Sequence, residues 1–347
     1  MPPTTCYLPL DTLRSVFGER LQTDVSLARY TATRVGGPAD VLLATGSVDE
    51  LAGTAAQLWN LDIPFIIFGG GSNVLVSDAG VRDVVIINRA KEVHIDEQAS
   101  PPTVWAGSGA NFGSMARKAA SQGLGGMEWA AGIPGTVGGA VFGNAGAHSG
   151  DVAGSLLMAE ILHRDGRREQ WPVEKMGYTY RSSILKREPG EGHNLPQDWG
   201  LGGGKPGDVI MGNPLPQDWG PGGVVILSAK FRLEHSTLQA VQEKMDEFLD
   251  RRKRTQPPGA SMGSIFKNPP GDYAGRLIGD AGLKGTRIGG AEISLKHANF
   301  FVNHRGCTAA DIYALIQLAR DTVFEKYDVK LECEIEMIGD WKLETRD

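Results

Sequence analysis

Between Trp129 and Gly150 the chain reads WAAGIPGTVGGAVFGNAGAHSG, 22 residues with no formal charge and seven glycines. An apolar helix of about 20 residues can cross a bilayer. Here the glycines, Pro134, Asn144 and His148 would leave polar groups unsatisfied in lipid, which excludes that use. A chain so short of Cβ atoms suits close contact with a large flat ligand, where side chains would collide and backbone N–H groups do the recognising.

At 347 residues there is room for two or three domains, each able to bury its own core. The chain is 41% hydrophobic and 22% charged, and its net charge of -6 gives no general attraction to nucleic acid or an anionic membrane. Cys6, Cys307 and Cys333 match neither a CxxC nor a Cys/His metal pattern, so a reducing compartment is expected, with no disulfide framework and no metal. The opening MPPTTCYLPL lacks the basic start and apolar core of a signal peptide, and the expected location is cytoplasmic. The 47 glycines, nearly twice the average share of about 7%, are clustered, which points to ligand-hugging loops.

Along the chain, an irregular opening to about Tyr30 leads through a Gly-Gly-Pro turn into a strand in PADVLLA. Ser47 and Glu50 form a capping box for a helix to about Trp59. IPFIIF is a buried strand running into GGGSN, and VLV and VRDVVIIN flank an Asp-Ala-Gly turn. This alternation predicts an α/β layered fold. A second unit begins near Val93: a strand in PTVWAGSGA, a helix in NFGSMARKAASQGL ending at Gly123, the glycine segment, then two strands about Asp165-Gly166. NLPQDWG at 194–200 returns as PLPQDWG at 214–220, within a Gly- and Pro-rich stretch over 187–223 that reads as a surface excursion without a core. Its Gly202, Gly204 and Gly207 spell G-x-G-x-x-G, but no strand precedes them and Pro206 intervenes, so a Rossmann site is not expected. Ser236 is expected to cap a helix whose Leu238, Val241, Met245, Phe248 and Leu249 keep helical spacing; its terminal Arg251-Arg252-Lys253-Arg254 reads as cations on a helix C-terminus. Thr308 and Asp311 box the start of a helix burying Ile312, Leu315, Ile316, Ala319 and Val323. KLECEIEMIG alternates as a final strand, with Glu332, Glu334 and Glu336 on one face.

Gly69-Gly70-Gly71-Ser72-Asn73, directly after a strand, offers successive N–H groups to a pyrophosphate. Gly132-Ile133-Pro134-Gly135-Thr136-Val137-Gly138-Gly139-Ala140 has the same character. With no Walker lysine motif, the pair suggests one extended dinucleotide held by backbone contacts from both units. Arg181 is a permanently charged fork suited to a carboxylate, or to an ordinary ion pair. Ser264, Lys267 and Asn268 cluster beside Gly263, either as a site or as a plain loop. An acidic row such as 332–336 usually faces solvent, and His297 reads as structural.

The motifs TRVGGPAD, FGGGSNVLVSDAGV, AGIPGTVGGAVFGNAGA, YRSS, GSIFKNPPGDYAGRLI, LKGTRIGGAEISLKHANFFVN and LECEIEMIG occur in this order, and the chain outside the duplicated stretch resembles the UDP-N-acetylenolpyruvoylglucosamine reductase family, in its second, shorter type. The resemblance implies two α/β domains of the vanillyl-alcohol-oxidase-like type that clasp FAD, plus a UDP-sugar domain. It divides the chain into residues 1–88 joined by 331–347, residues 89–233, and residues 234–330. It implies that NADPH reduces FAD, that the flavin passes hydride to the enolpyruvyl methylene carbon, and that a serine protonates the adjacent carbon. Ser264 matches that proton donor, with Arg181 and Glu334 as stabilisers of the developing charge. Cofactor contacts are expected from Arg34, Gly36, the two glycine loops and Asn144, and substrate contacts from Tyr180, Lys267 and Asn268. The implied partner is a small molecule, the UDP-sugar, bound by a monomer or weak dimer. Glu336 stands where the family often has Arg, and no substrate-capping tyrosine of the first type is carried over. The competing readings are a sugar or lactone oxidase on the same scaffold, often with a flavin-tethering His that neither TRVGGPAD nor GGGSNVL offers, and an FAD-binding protein without turnover.

Overall fold

The strand Val81–Asn88 carries an unbroken apolar run over 84–87, as expected of a strand covered on both faces. In the computed structural model, which describes residues 8–186 and 223–341, it lies at the centre of a four-stranded sheet. Pro38–Thr45 and Phe65–Phe68 run parallel to it on either side, and Gln22–Ser26 closes the edge antiparallel. The sequence order strand, helix, strand forces this parallel pairing, because a crossover helix must return the chain to the same end of the sheet. Helix α2 (Val48–Asn60) does so and packs Leu51, Ala55 and Leu58 on Val41, Leu43, Val84 and Ile86. It is preceded by α1 (Leu10–Phe17), where an irregular opening was expected; eight residues are too few for periodicity to stand out, and burial of Leu13 and Phe17 in the same core holds the helix. At the α2 start Ser47 accepts from Glu50 N–H at 3.1 Å, while the Glu50 carboxylate reaches Gly46 N–H, so the expected box is shifted by one residue on its return side.

The second sheet is antiparallel throughout, in the order Arg168–Pro172, Leu156–His163, Val224–Arg232, Thr103–Gly107 and Val93–Asp96. Helix α3 (Phe112–Ala120), capped by Asn111, and α4 (Val137–Phe142) cover it. Phe112 meets Trp129 and Phe231 at ring separations of 5.7 Å. Leu162, Val225 and Leu227 belong to the core under α2, so the two sheets share one apolar wall. A further short helix, α5 (Val152–Ser155), follows the glycine segment.

The third unit sets a three-stranded sheet, Arg287–Ile288, Ala291–Ile293 and Phe301–Asn303, against α7 (Ala274–Asp280) and α8 (Ala309–Tyr327), while α6 (Leu238–Thr255) packs Val241 and Met245 on Ala120 and Ala131 of the second unit. The α6 cap is Thr237, one residue later than the expected Ser236. The Thr308–Asp311 box of α8 is complete in both directions, and its five expected apolar positions are fully buried. The final segment is not one continuous strand. Only Glu336–Ile338 forms a ladder, parallel to Val74–Val76, whereas 332–334 pairs with 265–267 through the one bridge Phe266–Cys333. The chain therefore returns to the first unit after visiting the third, and Asp78 fastens the two by accepting from the N–H groups of Ala309 and Ala310 at the α8 start. The duplicated heptads, the G-x-G-x-x-G and Cys6 lie outside the described residues. Among the described residues no helix is long and apolar enough to cross a membrane.

Candidate active site

The two glycine loops, one from each sheet, meet. A Cβ on Gly69 would enter the Thr136 hydroxyl, one on Gly70 would come within 2.8 Å of Gly135 Cα, and one on Gly135 within 2.5 Å of Ser72 Oγ. Glycine is needed here for close approach of backbone to backbone, and Ser72 seals the contact by donating to the Pro134 carbonyl at 3.3 Å. At this seam lies a cleft of 310 Å³ lined by Gly69, Gly70, Thr136, Asn88 and Gly109, with Arg29, Arg89 and Lys91 also on its wall. Its size falls within the usual range for ligand pockets of about 300–1,000 Å³, and backbone flanked by cations fits an elongated dianionic dinucleotide. Arg89 and Lys91 were not singled out in the sequence, although they directly follow the central strand.

The other expected cofactor residues frame this seam. Gly36 and Gly37 allow the chain to pass against Val76 and Asp78, and Arg34 is exposed with a left-handed φ of 58°. Gly132 abuts Arg252 of α6, Ile133 packs on the second core, and Gly138 sits 3.0 Å, measured from an added Cβ, from Ser108. Gly139 and Ala140 lie in α4. Both ends of the Asn144 amide are engaged by protein: Nδ2 donates to Thr179 O and Oδ1 accepts from Ala153 N–H, each at 3.0 Å.

Each loop runs on from the cleft to a charged group. Asn73 donates its amide to the Glu334 carbonyl at 3.0 Å, and its own carbonyl accepts from Glu336 N–H. The other loop continues to Gly146, whose carbonyl accepts from Arg181 Nη1 at 3.0 Å. There the guanidinium meets the carboxylate: Arg181 Nε is 2.9 Å from Glu334 Oε1, with side chains 26% and 16% exposed. The Nε hydrogen is not aligned on that oxygen, so the contact is electrostatic and Nε lacks a hydrogen-bond acceptor. Burial raises the Glu334 carboxyl above the usual range, opposed by the charges of Arg181, Lys186 and Lys267. Lys186, which the sequence did not bring forward, pairs with Glu336 at 2.5 Å; its signal was its place three residues after YRSS. The acidic row is thus divided, Glu334 largely buried at 16% exposed and Glu332 71% exposed in its pair with Lys267.

Ser264 lies on the adjacent segment, between Gly263 in a left-handed conformation and Ile265, whose carbonyl accepts from Glu334 N–H at 2.8 Å. Ser264 and the Arg181–Glu334 pair, distant in sequence, are carried by hydrogen-bonded neighbouring segments. Tyr180 is 51% exposed, with its ring 5.7 Å from the Arg181 guanidinium. Asn268 spends its Oδ1 on Ala274 N–H at the α7 start. His297 accepts from Asn299 N–H at 3.3 Å, a structural use as expected.

Residues 39–170 match a family described as FAD binding domain, and residues 255–338 match UDP-N-acetylenolpyruvoylglucosamine reductase, C-terminal domain. The chain is 40% identical over 318 residues to the UDP-N-acetylenolpyruvoylglucosamine reductase of Chloroflexus aggregans, covering 92% of this chain and 97% of the relative. It is 38% identical over 314 residues to that of Bacillus subtilis, covering 90% and 92%. The crystal structure of the reductase from Thermus caldophilus superposes with a TM-score of 0.71 at 33% identity, over 92% of this chain and 99% of that one. The two matched regions account for the glycine cleft and the Ser264–Glu334 segments respectively, and the chain belongs to the UDP-N-acetylenolpyruvoylglucosamine reductase family.

Proposed function

We infer that the protein reduces the enolpyruvyl group of UDP-N-acetylglucosamine enolpyruvate to give UDP-N-acetylmuramate, a precursor of peptidoglycan, using FAD and NADPH. The observation that carries this reading is the partly buried Arg181–Glu334 pair at the end of two loops that begin in the dinucleotide cleft. The Gly69–Asn73 and Gly132–Ala140 loops would hold FAD, which, once reduced by NADPH, would supply the electron pair. The double bond then gains one hydrogen at each carbon, and charge builds toward the substrate carboxylate between the two additions. Arg181 meets that charge with a fixed, weakly hydrated fork whose Nε has no acceptor of its own. Burial raises the Glu334 carboxyl and so favours its protonated form, which donates a hydrogen bond where an ionised carboxylate would repel. Ser264 delivers the proton to the carbon beside the carboxylate, a task open to a weak acid because the carbon it meets is strongly basic. Lys267 and Asn268, on the same loop, and Tyr180, on the Arg181 turn, are assigned to the sugar nucleotide.

We assign FAD to residues 1–88, 331–347 and 89–233, and the sugar nucleotide to residues 234–330; the C-terminal family match runs on to residue 338, and the pairing of Glu336–Ile338 with Val74–Val76 is what supports giving the last segment to the first unit. A monomer or weak dimer acting in the cytoplasm, without nucleic-acid or membrane partners, accords with a charge of -6 and with unpaired Cys307 and Cys333. The test is to purify the protein and follow its flavin absorbance during NADPH titration, before and after adding the UDP-sugar. Bleaching by NADPH with recovery on adding the sugar under nitrogen is expected. A colourless protein that refuses added FAD, or recovery only with oxygen, overturns the reading.

A further inference from the structure

We propose that Asn144 is a positioning residue for Arg181, holding the turn that presents the guanidinium rather than touching the cofactor. The turn is closed by reciprocal hydrogen bonds between Thr179 and Ser182 at 3.0 and 3.2 Å, which leave Tyr180 and Arg181 at its tip. Arg181 sits at φ 56°, a left-handed conformation that an arginine adopts only when its surroundings impose it. Those surroundings are the end of α4 and the residues after it. Tyr178 donates its hydroxyl to Val141 O at 2.8 Å, and Ser183 donates to Phe142 O at 2.7 Å. Both acceptors are carbonyls at the helix terminus, where intrahelical donors run out. Between these flanking bonds Asn144, itself left-handed at φ 45° and 6% exposed, donates to Thr179 O while Ala153 N–H fixes its oxygen. Two residues on, Gly146 O takes Arg181 Nη1. Residues 141–146 thus grip the turn at both base and tip, and Asn144 does so through its side-chain amide.

This inference rests on Arg181 meeting the substrate, and its test separates the two. Asn144→Gly keeps the left-handed backbone and removes the amide; Ser183→Ala opens the neighbouring bond and serves if the first variant folds poorly. Stopped-flow absorbance would follow flavin reduction by NADPH and flavin reoxidation by the UDP-sugar separately, with Arg181→Lys and the double variant in parallel. We expect either single variant to retain its flavin and its NADPH reaction. Reoxidation should slow on the order of 100-fold, as misplacement of a catalytic group by about 1 Å does. In the Arg181→Lys background the same change should add little, since one unit has already been broken. Multiplying losses, or a loss of flavin that parallels the loss of rate, overturns the positioning role. Unchanged reoxidation in Arg181→Lys alone would instead overturn the role of Arg181.

Discussion

Arg181 Nε approaches Glu334 Oε1 to 2.9 Å, yet the carboxyl is pushed toward its neutral form because burial outweighs the nearby charges. An ion pair built for stability would align its hydrogen bonds and hold the carboxylate ionised. Here the buried Nε remains without a hydrogen-bond acceptor, so the contact is not the aligned pair that stability alone would favour.

The titration of Glu334 has a direct consequence. A raised carboxyl keeps its proton to higher pH, so a role that needs the protonated form is complete in acid and is lost as pH rises through that pKa. We expect kcat/KM for the UDP-sugar to fall on the alkaline side, and Glu334→Gln, which keeps a donor at every pH, to flatten that limb while lowering the plateau. An unchanged limb in the Gln variant would show that another group titrates.

Ser264→Ala should leave flavin reduction by NADPH intact and slow substrate reduction by about 10²–10⁴, the usual range for a lost general acid. Single-turnover measurement with the UDP-sugar checks this. Normal turnover would remove Ser264 as the proton donor.

Gly71 is left-handed at φ 56°, and an added Cβ would enter the Tyr30 carbonyl. Gly71→Ala should therefore cost upwards of about 1 kcal/mol of stability and release flavin more readily, read as a lower flavin-to-protein ratio after gel filtration. Gly53→Ala, on a helix with open space around the added methyl, should retain the flavin and serves as the control.

Asp78 is exposed, and its two hydrogen bonds cap α8 from a distant part of the chain. Asp78→Ala should destabilise the third unit by about 1 kcal/mol, the usual value of such a cap. The effect should appear as a lower urea midpoint for a probe on Trp341, which packs against Tyr313 of α8. An unshifted midpoint would mean the contact is solvent-replaceable.

Local signals were legible where the physics is local. The Thr308–Asp311 box and the apolar face of α8 follow from hydrogen bonds and periodicity within a few residues. The first helix escaped because Leu13 and Phe17 owe their burial to Trp59 and its neighbours, not to their own segment. KLECEIEMIG misled for a related reason: its alternation suits a strand, but residues 332–334 found their partner in 265–267 and only 336–338 joined 74–76. That change of partner buries Glu334 and leaves Glu332 in solvent, a division no alternation could show.

From its residues alone the chain required two backbone-lined loops for a large ligand, because glycines at such density leave few side chains with which to recognise anything. The ordered motifs also named Ser264, Arg181 and Glu334. Tertiary structure decided how they cooperate: which loop meets which across the seam, which glutamate loses its water, and which carbonyl steers the guanidinium. Those outcomes depend on desolvation and on hydrogen bonds between segments far apart in the chain, and neither quantity exists until the sheets and helices have packed.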